Sequence, residues 1–380
     1  MNTRKFTYIT TLIIGTFLFA LGTFFMFYIN NIAPEPGSDT PIPQILNGLS
    51  GTKKNDPMNF LVLVGDKASG NTDSMMVANY NPDTKQISIV TIPRDTHVKL
   101  RNNILPKINA AYAAGGREHD GAMYAAEIVS NLTGININYY VHINISSIKK
   151  ITDMLGGVSF DVPADLRYRD PTQDLYINLK KGYQLLDGDK VEQLLRFRKP
   201  NERLYSREEL KELRKFYDGS DIKRTEMQVK FIKEFMGQKL NIQYLPKFNS
   251  VINYAFENII TNMTLSDALK LTSGVINISA ANFNSFRLDG EDKIINGGWF
   301  YEYNGKIINI DSKESLPAED IVSRYFKSVG GIATPSELFV PKRQDDEDKP
   351  SKSTRKPARS TAKNPSNPET DSKGNGKDKP

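Results

Sequence analysis

Asn59-Phe60-Leu61-Val62-Leu63-Val64-Gly65 is a short apolar run closed by glycine. Its length and composition predict a buried strand. Two further strands are predicted after it, Ser74–Tyr80 and Gln86–Ile92, with the turn signal Asn81-Pro82-Asp83-Thr84 between them. Their equal lengths predict an antiparallel hairpin that pairs Ser74 with Ile92 and Tyr80 with Gln86. Asp73 then lies beside Pro93-Arg94-Asp95. The short loop after Gly65 keeps Asp66 at the same end of the sheet. Connectivity alone therefore gathers three acids and one arginine. Each aspartate singly is ordinary turn chemistry; the cluster favours a site.

Beyond this core the pattern alternates. A helical region starts at Lys107-Ile108-Asn109-Ala110-Ala111-Tyr112, breaks at Gly115-Gly116 and resumes from Gly121 to Leu132, with Ala125, Ile128, Val129 and Leu132 as its apolar face. Tyr139–Ile145 reads as a strand in which Val141, Ile143 and Ile145 alternate. Ile148–Leu155 reads as a helix stopped by Gly156-Gly157. Val158–Val162 is another strand, and Asp187-Gly188 starts a helix with Val191, Leu194 and Leu195 inward. Alternating strands and helices predict an α/β body with a mixed central sheet flanked by helices. Residues 201–220 are rich in charge and read as a surface excursion with some helix. After Gly237 the pattern weakens, with later strands expected at Phe283–Leu288 and Trp299–Asn309.

A second polar feature lies away from the strand ends. On a helix, Asp221, Arg224 and Gln228 form one polar stripe, beside an apolar stripe of Ile222, Val229, Ile232 and Met236. Arg196 and Arg198 enter from the preceding segment. Guanidinium groups make forked, permanently charged contacts with phosphate oxygens. These residue types suit a ligand with several negative charges; the plainer alternative is a solvated helix face.

Composition removes other classes. The 380 residues contain no cysteine, which excludes disulfides, thiolate metal sites and cysteine nucleophiles. His97, His119 and His142 have no company that fits a zinc site or a Ser-His-Asp triad. Most of the formal net charge of +6 lies in the Lys/Ser/Pro-rich C-terminal stretch, so the body is close to neutral and a nucleic-acid partner is not expected. Residues 331–380 are expected to be a disordered basic and polar tail. Tyr8 to Ile29 is nearly all apolar, preceded by Arg4 and Lys5. It predicts one transmembrane signal anchor over residues 8–29, with residues 1–7 cytoplasmic, a linker at 30–57 and an extracellular body at 58–330.

Six motifs then occur in a recognisable order: Asp73-Ser74-Met75-Met76-Val77, Ile92-Pro93-Arg94-Asp95-Thr96, Lys107-Ile108-Asn109-Ala110-Ala111-Tyr112, Leu155-Gly156-Gly157-Val158, Arg196-Phe197-Arg198 and Asp221-x-x-Arg224-x-x-x-Gln228. In this the chain resembles the LytR-CpsA-Psr family, most densely from Phe60 to Phe235. The resemblance implies a phosphotransferase of Gram-positive-type bacteria. Such an enzyme moves an anionic glycopolymer, wall teichoic acid or capsule, from a polyprenyl-pyrophosphate carrier to peptidoglycan through a phosphodiester. It implies Mg²⁺ or Mn²⁺ on Asp66 and Asp73. It implies a pyrophosphate held by Arg94, Arg196, Arg198 and Arg224, with Lys107, Asp221 and Gln228 in support. Phosphoryl transfer needs charge neutralisation and positioning more than covalent chemistry, so neither histidine nor cysteine is required. Asp95 and Asp221 are both candidates to take the acceptor proton. The chain departs from the family pattern in the adjacency of Gly65 and Asp66, in Asn71 where an arginine is common, and in the length of residues 201–220. Two other readings use the same residues: a polyprenyl-pyrophosphate hydrolase, and a non-catalytic membrane-anchored protein that binds wall polymer.

Overall fold

The computed structural model describes residues 56–65, 70–101, 104–171, 175–276 and 278–332. The expected anchor at 8–29, its flanks and linker, Asp66, and the tail from 333 onward lie outside the described residues. Among the described residues no helix is long and apolar enough to cross a membrane.

The strands β1 (Met58–Gly65), β2 (Thr72–Asn81) and β3 (Gln86–Ile92) form an antiparallel meander. They are followed by α1 (Ala111–Ala114) and α2 (Glu118–Thr133), then β4 (Tyr139–Ile143) and α3 (Ile145–Met154). A block of short strands comes next: β5 (Val158–Val162), β6 (Leu166–Asp170), β7 (Leu175–Leu179) and β8 (Gly182–Leu186). The helices α4 (Gly188–Arg196), α5 (Arg207–Leu213), α6 (Asp221–Lys239) and α7 (Leu245–Asn258) lead to β9 (Ile260–Thr261) and α8 (Leu265–Val275). The described part closes with β10 (Phe283–Ile295), β11 (Gly298–Asn309), β12 (Ser315–Pro317) and α9 (Ala318–Tyr325).

The main sheet has eight strands among the described residues, in the order β12-β11-β10-β3-β2-β1-β4-β9. It is mixed: β4 runs parallel to β1 and β10 parallel to β3, while the other pairs are antiparallel. Helices flank it, as the alternating pattern predicts. Strand alternation sets the two faces. Leu61, Leu63, Met75, Val77, Val90 and Ile92 turn to one side, where they meet Tyr112, Ala122, Ala125 and Val129. Phe60, Met76, Tyr80, Ile87 and Ile89 turn to the other, where they meet Val229 of α6 and Val275. A separate core lies among β5–β8 and the helices α4–α6, built on Phe160, Ile177, Leu194, Phe197 and Phe231.

Four local expectations change. The hairpin register is one residue off: Met75, not Ser74, faces Ile92, and Asn81 pairs with Gln86. The Asn81 side chain accepts from the backbone of Asp83 at 3.0 Å and Thr84 at 3.3 Å, which tightens the turn and moves the register. A one-residue slip exchanges the faces, so Ser74 leaves the face of Ile92. Second, Ile145 opens α3 instead of ending β4, because Asn144 caps the helix by accepting from Ser147 N at 2.8 Å. Tyr140 and His142 are the buried side chains of β4; Val141 and Ile143 are only half-buried. Third, residues 201–220 are more than a surface excursion. Leu213 and Tyr217 are fully buried, and the Tyr217 ring meets Phe197 edge-on at 4.8 Å. Fourth, the weakly patterned region after Gly237 contains α7, α8 and α9.

Candidate active site

The second sheet face, α3, α4, α6 and the β6–β7 hairpin enclose a cavity of about 990 Å³. Val62, Val64, Ser74 and Met76 enter it from β1 and β2, on the face opposite the α1–α2 core. Ile148 and Ile151 enter from α3, Leu195 from α4, and Phe231, Ile232 and Phe235 from α6. The same cavity is lined by Asp73, Arg94, Arg196, Arg198, Arg224 and Gln228. Tertiary structure thus brings Asp73 and Arg94 at the strand ends together with Arg224 and Gln228 of the helical stripe, more than a hundred residues away. Lys107, Asp95 and Asp221 stand behind the lining, and Asp66 lies outside the described residues.

Arg94 sits on a turn held from two sides. Thr96 N and Oγ1 both bond Pro93 O, at 3.0 and 2.6 Å. Asn109 N donates to Arg94 O at 3.1 Å and Ile108 N to Thr96 O at 2.9 Å. The Lys107–Tyr112 motif is therefore the backbone support of the Arg94 turn. The Arg94 guanidinium stands between three carboxylates, at 3.6 Å from Asp221, 3.8 Å from Asp73 and 3.9 Å from Asp95. Lys107 Nζ pairs with Asp95 Oδ1 at 2.7 Å, so the lysine reaches the site through Asp95.

Serine 220 caps α6 by accepting from Lys223 N, which puts Asp221 in the first turn and starts the polar stripe at the cavity. Arg224 is the most buried member, with 9% of its side chain exposed. Its Nη2 lies 2.5 Å from Asp221 Oδ1 and donates to the backbone carbonyl of Asp73 at 2.6 Å. Burial pushes the Arg224 guanidinium below its ordinary pKa, and Asp221 opposes that shift. The group stays cationic. Gln228 is clamped: Ser74 Oγ donates to its Oε1 at 2.9 Å, and its Nε2 donates to Leu195 O at 3.2 Å. The polar stripe is thus the inward edge of α6, while Ile222 of the apolar stripe is only half-buried.

Arg196 and Arg198 flank Phe197, which is 1% exposed and anchored in the second core. Arg196 ends α4 and bonds Glu192 at 3.0 Å; Arg198 Nε donates to Gly219 O at 2.9 Å. Burial pushes the Glu192 carboxyl up, but hydrogen bonds from Lys149 and Arg196 outweigh it, and the net shift is downward. Sequence reading missed Ser74, Glu192 and Lys199. Glu192 carried a signal, its i,i+4 spacing to Arg196. Ser74 carried none until the register was known.

A hard cation takes oxygen ligands, and Mg²⁺ keeps several waters. Asp73 suits that demand: its carboxylate is 70% exposed at the cavity edge, and its nearest cation is 3.8 Å away. Asp221 and Asp95 are engaged by closer cations. Among the described residues no group of three or more acids or histidines forms a self-contained metal cage.

The LytR_cpsA_psr family model matches residues 31–315. The polyisoprenyl-teichoic acid–peptidoglycan teichoic acid transferase TagU of Bacillus licheniformis is 25% identical over 82% of this chain and 96% of its own length. The transferase TagV of Bacillus subtilis is 25% identical over 64% of this chain; the alignment spans 58% of TagV, under two thirds of its length. The crystal structure of Bacillus subtilis TagV shares the fold, with a TM-score of 0.53 at 24% identity over 67% of this chain and 92% of that one. Its motifs, its mixed sheet and the match of the family model over most of its length place this chain in the LytR_cpsA_psr family, to which it belongs.

Proposed function

We propose that this protein is a phosphotransferase that joins an anionic glycopolymer, wall teichoic acid or capsular polysaccharide, from a polyprenyl-pyrophosphate carrier to peptidoglycan. One observation carries the reading. A single cavity of about 990 Å³ combines four arginines with an apolar interior. That pairing suits an amphiphile with a polyanionic head and a hydrocarbon tail. Apolar burial contributes about 0.8 kcal/mol per methylene-sized group, so a few isoprene units anchor the carrier firmly. The names of TagU and TagV, which cite polyisoprenyl-teichoic acid and peptidoglycan, support the same donor and acceptor classes.

In the proposed reaction an acceptor hydroxyl oxygen attacks the phosphorus that bears the glycopolymer. The bond from that phosphorus to the bridging oxygen breaks, and polyprenyl phosphate leaves with the electron pair. The hydroxyl proton passes to a carboxylate beside Arg94, Asp95 or Asp221, and a phosphodiester remains. Arg94, Arg196, Arg198 and Arg224 stabilise the charge that builds on the leaving phosphate. Gln228 and Asp221 hold that array in place. Asp73, with Asp66, would hold Mg²⁺ or Mn²⁺, which supplies further charge neutralisation when bound. In this reading the body lies outside the membrane, held there by an anchor at residues 8–29; protease added to wall-stripped cells should digest it.

The purified protein should be incubated with lipid-linked polymer and peptidoglycan. A covalent polymer–peptidoglycan conjugate is the expected product. Release of phosphorylated polymer without conjugate would instead make the protein a hydrolase, and saturable binding without turnover would make it a binding protein.

A further inference from the structure

The β10–β11 hairpin runs past the sheet that supports it. β3 pairs with β10 only from Phe283 to Arg287, and β12 pairs with β11 only from Lys306 to Ile308. From Gly290 to Tyr303 the two strands continue as a ribbon, after a bulge between Leu288 and Gly290. A Cβ on Gly290 would lie 2.1 Å from Glu302 O, so only glycine permits this crossing. The ribbon does not project freely. Tyr301 N donates to Asp95 O, and His97 N donates to Tyr301 O, both at 2.9 Å. Phe300 packs against His97 with the rings tilted by 54° at 5.0 Å, and lies under Lys107 Nζ, the partner of Asp95. β11 is therefore fastened to the turn that carries Arg94.

An isolated parallel bridge of Thr96 with Tyr301 completes the fastening. Trp299 is two residues of strand, about 7 Å, nearer the hairpin tip than Tyr301, whose backbone is bonded to Asp95 beside Arg94. Trp299 pairs across the ribbon with Ile294, and the two side chains are 64% and 62% exposed. Trp299 is also the single tryptophan of the chain. A large exposed apolar pair on a ribbon fastened to the Arg94 turn marks a contact surface. Its charge selects the occupant. From Asp289 to Glu302 the sequence carries Asp289, Glu291, Asp292 and Glu302 against Lys293 alone, and Lys293 pairs with Glu291 at 3.1 Å. An acidic ribbon disfavours a polyphosphate donor and an anionic lipid surface. It accepts hydrogen bonds from hydroxyls, and an indole face stacks on the C–H face of an uncharged sugar ring.

We propose that Trp299 and Ile294 form a glycan platform that seats the sugar strand of the acceptor beside the turn that carries Arg94. The proposal rests on the phosphotransferase reading for the identity of the acceptor, but its binding step does not depend on turnover. The platform orients the acceptor hydroxyl toward the donor phosphorus, and its acidity keeps the polyanionic donor from occupying the acceptor position.

The lone indole is its own probe. Soluble peptidoglycan oligosaccharides should be titrated into the full-length protein while tryptophan emission is followed. A saturable change in emission is expected, and none with a polyglycerol-phosphate polymer or with anionic vesicles. Trp299→Ala should raise the KM for acceptor by about tenfold, as for loss of an aromatic anchor, with donor KM and melting temperature unchanged. Trp299→Phe should recover most of that loss, and Ile294→Ser should reproduce part of it. An emission change with vesicles or polyphosphate instead of glycan overturns the proposal. So does a Trp299→Ala protein with parental acceptor KM. If the parent binds glycan through the indole yet forms no conjugate, the platform stands and the phosphotransferase reading falls.

Discussion

Arg224 donates from its guanidinium to the backbone carbonyl of Asp73 at 2.6 Å, across 151 positions of sequence. This bond ties the first turns of α6 to the start of β2 and makes Arg224 both a wall of the cavity and a strut of the fold. Its second partner, Asp221, is 11% exposed, so the pair is nearly closed to water.

Arg224→Ala should therefore lose activity and stability together. Leaving the Asp221 carboxylate buried with only the more distant Arg94 should cost about 3 kcal/mol of folding free energy. The phosphotransfer rate should fall on the order of a hundredfold or more. Arg224→Lys should recover part of the stability and little of the rate, because an ammonium can keep the Asp221 contact but cannot offer phosphate oxygens a planar fork. Denaturant unfolding and ligation assays on the same preparations check this.

Arg196→Ala separates the two effects. Its side chain is 31% exposed and holds only Glu192, so the melting temperature should barely change while the rate falls roughly a hundredfold. Arg214→Ala is the control. That side chain is 57% exposed in an ion pair with Glu202 and should cost under about 0.5 kcal/mol and no activity. Parental turnover by a folded Arg196→Ala protein would remove Arg196 from the pyrophosphate site.

Asp73→Ala should fold like the parent, because the 70% exposed carboxylate contributes little to the interior. Activity and its dependence on added Mg²⁺ or Mn²⁺ should disappear together. An active variant that still responds to the cation would place the metal elsewhere.

Acid should reach the arginine array through Glu192. Its folded pKa lies below the ordinary value of 4.5, so its pairing with Lys149 and Arg196 stabilises the fold fully above that pH. That contribution should be lost as pH falls below 4.5 through the lowered folded value. Glu192→Gln should flatten the stability profile in this acid window and leave it unchanged in shape near neutrality. Unfolding midpoints measured across the window for both proteins test it.

Tyr217 tests the charged segment before α6. Its ring is fully buried, while its hydroxyl has no hydrogen-bond partner among the described residues. Tyr217→Ala should cost about 3–5 kcal/mol through the cavity it leaves. Tyr217→Phe should be neutral or slightly stabilising, since it removes an unpaired buried polar atom. A large loss in the Phe variant would show that the hydroxyl is engaged.

Much of this protein was legible in its residues. The apolar run of β1, the hairpin after it and the helix start at Asp187 are local signals, and each reports a local backbone preference. The six ordered motifs carry the family by themselves. The spacing of Asp221, Arg224 and Gln228 showed that these groups share one helix face.

Tertiary structure decided the rest. Whether the polar stripe meets solvent or a cavity depends on what lies opposite it, and that is β2, which no helical period can name. The hairpin register turned on one Asn81 side chain, and a slip of one residue moved Ser74 to the face where it bonds Gln228. The short strands β6 and β7 were not read from the sequence, yet Tyr168 and Leu175 on them line the cavity. Burial of Tyr217 inside a segment that reads as charged surface follows from the Phe197 ring it packs on. Lys107 stands behind Asp95, away from the cavity lining, because the turn at Arg94 folds back on it. Sequence periodicity reports the direction of each side chain relative to its own backbone; which other chain segment waits in that direction is a property of the packed whole.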